Sequence, residues 1–180
     1  NIQDAMNGSP LGAWLGSDGE TYKAAAEALH EDGIFSKSSL LMYFAPGYPV
    51  FLSILQFFTG NLVFVFTSLI QTLLYSYSIF FLGQQLLKTK FKKITFAFTV
   101  IALLNPTLSL SSLVIGYESL VASLFILALS LLILDLTTAA PKLSYSPLLI
   151  SSVLLGITVW LSPRMILPGV LFLLSWVYIK

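Results

Sequence analysis

Two carboxylates two residues apart, Asp18 and Glu20, stand in Ser17-Asp18-Gly19-Glu20-Thr21-Tyr22, within the first 40 residues, the only long polar segment of the chain. Acids paired in this way could act as a general base toward a hydroxyl nucleophile or as ligands of a metal ion. They also suit a plain helix start. Ser17 and Glu20 have capping-box spacing, and acids at the positive end of a helix dipole contribute about 1 kcal/mol without any function. Both roles can hold together, because a cap fixes the position of a side chain. Further along, Glu118 and Arg164 stand at the edges of apolar blocks. A guanidinium so placed could hold two phosphate oxygens at once, with Lys37 a weaker cation for the same duty. The plainer alternatives are a snorkelling flank charge for Arg164 and an interfacial carboxylate for Glu118. His30 is the sole histidine and cysteine is absent. With no second histidine a zinc site is not expected, and without cysteine disulfides and iron-sulfur chemistry are excluded. No phosphate-cradling Gly loop occurs, so a nucleotide sugar or ATP is not expected to bind by that route. Asn7-Gly8-Ser9 fits the glycosylation acceptor pattern, but Pro10 follows it and it carries no weight.

The elements that must position these residues are set by an unusual composition. Of 180 residues, 57% are hydrophobic and only 9% charged, against roughly 25% charged in a soluble domain. With a mean hydropathy of +0.89, the chain needs lipid around it. An integral membrane protein is expected. The net charge of +1 supplies no basic field for nucleic acid, which is excluded as a partner. Asn1 to Asp18 has none of the features of a signal peptide. The polar start at Asn1 and the apolar run up to Lys180 read as the N-terminal half of a polypeptide longer at both ends.

Charges bracket uncharged blocks, which can be measured against the roughly 20 apolar residues that cross a bilayer. Ser38 to Leu87 holds no charge. As one helix it would reach about 75 Å, so it must contain at least two elements. Pro46-Gly47-Tyr48-Pro49 and Thr59-Gly60-Asn61 supply the breaks. A short helix over Val50 to Phe58, at the surface or dipping in, and a first span over 62–87 are therefore expected. Further spans follow at 94–112, where Asn105-Pro106 ends or kinks the regular part, and at 118–135, 148–161 and 165–179. The expectation is an all-α polytopic membrane protein with about five transmembrane helices. Residues 1–61 form an outer loop with short interfacial helices, and residues 62–180 form the membrane region.

The loop Lys88-Thr89-Lys90-Phe91-Lys92-Lys93 should be cytoplasmic by the positive-inside rule. Alternation then puts Asp18, Glu20, Glu118 and Arg164 on the outer side and leaves Asp135 as the one acid inside. Acids gathered at one face favour chemistry at the outer interface over a midplane transport site. A membrane transporter or a non-catalytic membrane subunit is the competing reading.

The ordered series of short patterns resembles the GT-C membrane glycosyltransferases. It runs from Asp18-Gly19-Glu20-Thr21-Tyr22 and His30-Glu31-Asp32-Gly33 through Ala45-Pro46-Gly47-Tyr48-Pro49-Val50-Phe51-Leu52 to Leu103-Leu104-Asn105-Pro106. Gly116-Tyr117-Glu118-Ser119-Leu120, Leu155-Gly156-Ile157 and Leu161-Ser162-Pro163-Arg164 continue it. The likeness extends over nearly all of the chain and is greatest to bacterial relatives of the dolichyl-phosphate-mannose protein mannosyltransferases and lipid A glycosyltransferases. It implies transfer of a sugar from a polyprenyl-phosphate donor to a glycan, lipid or protein acceptor. It also implies a multi-pass protein of the bacterial inner (plasma) membrane with its active site facing outward. On this resemblance Asp18, with Glu20 beside it, is the catalytic acid, acting as base or metal-linked carboxylate. Glu118, Arg164, Tyr22 and Tyr48 contact substrate. Tyr22, Tyr43 and Tyr48 could stack on a sugar, or simply anchor the chain at the interface. No cofactor is required by these residues, and the resemblance leaves a divalent cation, Mg or Mn, and its ligands open.

Overall fold

The computed structural model describes residues 16–33, 45–89, 92–105, 110–137 and 145–179. Among them the chain is helical, with no strand. In chain order the helices are α1 (Gly16–Asp32), α2 (Gly47–Thr59), α3 (Val63–Leu86), α4 (Lys92–Leu104), α5 (Tyr117–Thr137), α6 (Tyr145–Leu161) and α7 (Ile166–Ile179). Single 3-10 turns join α2 to α3 (Gly60–Leu62) and α6 to α7 (Pro163–Met165).

The breaks fall where backbone chemistry requires them. Gly60 ends α2 with φ +54, a conformation that costs glycine little and other residues more. α4 stops at Leu104, just before Asn105-Pro106. Two starts differ from the sequence expectation for one reason. α2 begins at Gly47, not Val50, and α6 at Tyr145, not Leu148, so Pro49 and Pro147 each fall in a first turn. There the amide that proline lacks has no helical partner to lose. Val50 N–H makes its helical bond to Pro46 O at 3.0 Å. Ser17 lies inside α1, one residue past Gly16, and not at its cap.

Two helical stretches, Gly47–Leu86 and Tyr117–Thr137, are long and apolar enough to cross a membrane. Pro147–Leu161 and Pro163–Ser175 are apolar but shorter, and α4 has 13 residues. The lengths alone therefore establish two such helices where five spans were expected; prolines at positions 106 and 163 interrupt the remaining apolar stretches.

α3, α5 and α6 form the packed centre. α3 buries Thr67, Gln71, Tyr75, Ser78, Leu82 and Gln85, while Phe66, Leu69, Leu73, Tyr77 and Phe80 point outward. Both sets follow helical spacing, so the inward stripe is more polar than the outward one. Small residues allow close approach. A Cβ on Gly83 would lie 2.8 Å from Thr99 Oγ1 of α4, and Ser151 Oγ of α6 donates to Ala128 O of α5 at 3.2 Å. Tyr75 OH donates to Ala102 O at 2.6 Å, tying α3 to the end of α4.

Candidate functional site

The segment entering α5 is irregular, and α3 holds it. Ser68, Gln71 and Thr72 share one face of α3 by their i, i+3, i+4 spacing. Ser68 Oγ donates to Leu113 O at 3.1 Å, and the Thr72 and Ser112 hydroxyls are hydrogen-bonded at 3.2 Å. The Gln71 amide, fully buried, donates from Nε2 both to Gly116 O at 2.7 Å and to the Tyr48 hydroxyl at 3.1 Å. One side chain thus joins α2, α3 and the start of α5. Two carbonyl oxygens cannot hydrogen-bond each other, so Gly116 O fixes which end of the amide faces it. Among the described residues, Gln71 Oε1 and Ser119 Oγ are buried and find no hydrogen-bond partner.

On this frame sits a plug of aromatic and aliphatic side chains. Tyr22 of α1, Tyr48 and Leu52 of α2, Ile115, Leu120 and Val121 at the entry of α5, and Leu161 at the end of α6 form one buried cluster. The Tyr22 ring meets Tyr48 edge-on at 5.1 Å between centroids and Tyr117 edge-on at 6.0 Å. Such T-shaped pairs contribute about 0.5–1.5 kcal/mol each beyond the area they bury. Close backbone contact locks the plug from behind. A Cβ on Gly47 would lie 2.6 Å from Trp160 O, so α2 rests directly on the last turn of α6.

The residues singled out from the sequence lie around this plug. Tyr22 and Tyr48 are inside it, at 3% and 0% exposure, with their rings packed on each other and the Tyr22 ring also on Tyr117. Glu118 follows Tyr117 and is exposed. A Cβ on Gly116 would come 2.5 Å from Glu118 Oε2, so the carboxylate folds back over the Gly116 backbone whose carbonyl Gln71 holds. Arg164 is exposed beside Met165, which packs on the plug. Its turn is set by bonds from Ser162 N to Thr158 O and from Met165 N to Ser162 O, each 2.9 Å. Glu20, exposed, is two residues from Tyr22 on α1. Asp18 lies in the first turn of α1, with its side chain outside the described residues. Lys37, Tyr43 and the Asn7 motif are likewise outside them. His30 is exposed in the last turn of α1, where a basic group suits the helix dipole.

Gln71 is the residue that reading the sequence missed. Its signal was present: an amide within an uncharged span, with Thr67, Ser78 and Gln85 on the same face. Among the described residues no group of three or more His, Asp or Glu could hold a metal ion. α1, the entry of α5 and the α6–α7 turn, which carry Glu20, Glu118 and Arg164, each contribute a side chain to the plug or its margin. Comparison with family models, with curated proteins and with solved structures finds no match to this chain.

Proposed function

We propose that the chain is a membrane glycosyltransferase moving a sugar from a polyprenyl-phosphate donor to an acceptor hydroxyl at the outer face of the membrane. One observation carries the reading. Glu118 and Arg164 adjoin Tyr117 and Met165, which pack on a single buried plug, and Glu20 lies on the helix that supplies Tyr22 to it. In the proposed reaction the Asp18 carboxylate takes the proton of the acceptor hydroxyl, whose oxygen attacks the anomeric carbon. The bond from that carbon to the phosphate oxygen breaks, and the polyprenyl phosphate leaves with the electron pair. Arg164 meets the charge left on the phosphate. Glu20 and Glu118 hold sugar or acceptor hydroxyls, and the tyrosine plug sets the spacing between them. The described residues offer no three-ligand group for Mg or Mn.

The membrane part of the proposal is a five-span bundle in a bacterial inner membrane, with α1 and α2 at the outer interface. It is supported by the polar inner stripe and apolar outer face of α3, the reverse of a water-soluble helix. The test is sugar transfer from a radiolabelled polyprenyl-phosphate donor in membranes holding the full-length protein, comparing wild type with Asp18→Asn at matched levels. Loss of transfer with thermal stability retained is expected. Undiminished transfer would reduce Asp18 to a helix-start residue. No transfer by wild type from any such donor would sink the enzyme reading and favour a transporter or non-catalytic subunit.

A further inference from the structure

A second feature lies beside the tyrosine plug and shares Leu52 with it. Where α1 leans on α2 and the first residues of α3, a cavity of about 290 Å³ opens to the surface. Leu52 and Val63, both buried, form its floor with the half-buried Phe64. Lys23, Glu27, Gln56 and Asn61 supply its polar side. Lys23 and Glu27 are one turn apart on α1 and opposite in sign, so the cavity has no net charge to offer an anion. The Lys23 ammonium is held 5.8 Å from the Phe64 ring centroid, an arrangement that keeps a donor in place. Gln56 and Asn61 each add two donors and an acceptor, and Glu27 adds acceptors only.

This donor and acceptor set, with balanced charge above an apolar floor, matches a neutral molecule rich in hydroxyl groups. Each hydroxyl both donates and accepts, and the CH face of a pyranose ring suits Leu52, Val63 and Phe64. The volume is at the small end of the roughly 300–1,000 Å³ typical of ligand sites. We propose that the cleft between α1, α2 and α3 binds a single pyranose unit through Lys23, Glu27, Gln56 and Asn61. The choice of a sugar over other hydroxyl-rich molecules rests on the transferase reading. The cleft itself rests on the cavity and its lining.

The test is ligand-observed NMR titration of the full-length protein in lipid nanodiscs. Methyl α-mannopyranoside and methyl β-glucopyranoside serve as free sugars, mannosyl farnesyl phosphate as the lipid-linked form, and farnesyl phosphate as the sugar-free probe. At least one glycoside should bind, and the pair Gln56→Leu with Asn61→Leu should weaken it tenfold or more. Asn61→Ala, at an exposed turn position, is a second variant that should weaken binding severalfold with folding intact. Phe57→Ala, outside the cavity, should leave it unchanged, and farnesyl phosphate binding should be insensitive to all three. Equal affinity for free and lipid-linked mannose would assign the cleft to an acceptor sugar, and a hundredfold preference for the lipid-linked form to the donor sugar. The proposal fails if no glycoside binds, if the substitutions change affinity less than twofold, or if farnesyl phosphate weakens as much as the sugars. Binding is read without turnover. Sugar binding without transfer would therefore refute the transferase and keep the cleft, and transfer with an idle cleft would do the reverse.

Discussion

Gly47→Ala should loosen the joint that holds the plug together. The added methyl would sit 2.6 Å from Trp160 O, 2.8 Å from Trp160 C and 2.9 Å from Leu161 N. All three are backbone atoms of α6, which cannot swing aside as a flexible side chain would. α2 and α6 must instead separate by several tenths of an ångström along their contact. Overpacking of this kind typically costs about 1–3 kcal/mol, and the gain in helix propensity is small at the first residue of a helix. At about 2–4 °C per kcal/mol for a chain of this size, the midpoint of thermal unfolding should fall by about 2–12 °C. Gly156→Ala is the internal control. It places the same methyl in the interior of α6, with no neighbouring atom within 4 Å, and should leave the midpoint unchanged or slightly raised. Both variants are read by thermal unfolding in one detergent. A Gly47→Ala protein as stable as Gly156→Ala would refute the close approach of α2 to α6. Because Tyr48 follows Gly47, the proposed sugar transfer should also drop in the first variant and not in the second.

Gln71→Met should cost about 1–3 kcal/mol in thermal unfolding, because it strips the donor from buried Gly116 O. Tyr48→Phe, which leaves that carbonyl paired, should lose less of the hydrogen-bonding part. Tyr75→Phe removes the bond to Ala102 O and should cost about 0.6 kcal/mol, the average for interhelical bonds in membrane proteins. Faster hydrogen exchange confined to the end of α4 would show it. Gly83→Ala meets the Thr99 side chain first, so its cost should be relieved by Thr99→Ala; a double-mutant cycle with zero coupling would contradict that contact.

Helix existence was legible from charge brackets and breakers, and Gly60 and Asn105-Pro106 end helices where their backbone chemistry says they should. The starts at Gly47 and Tyr145 were not legible, because a proline reads as a stop when its place in the first turn is unknown. Side-chain fate was the harder part. Tyr22 and Tyr48 look alike as surface anchors or ring platforms in sequence, and only packing shows that each covers the other. Gln71 was visible as an amide in an uncharged span, but its partners were not legible because they lie 23 and 45 positions away. The cavity escaped for the same reason, since Gln56 and Asn61 belong to no motif and become neighbours of Lys23 only when α1 folds onto α2.

The plug joins Tyr22 to Leu161 across most of the sequence. A ribosome releases Tyr22 early and Leu161 late, so α1 has no finished seat until the end of α6 has been made. Contacts separated this widely form slowly, since a long loop must close before they repay its entropy. α1 is thus made well before the seat that holds it is finished. During that interval the rings of Tyr22 and Tyr48 lack the downstream half of their packing, a period in which a lipid surface or a folding helper would have to shelter them.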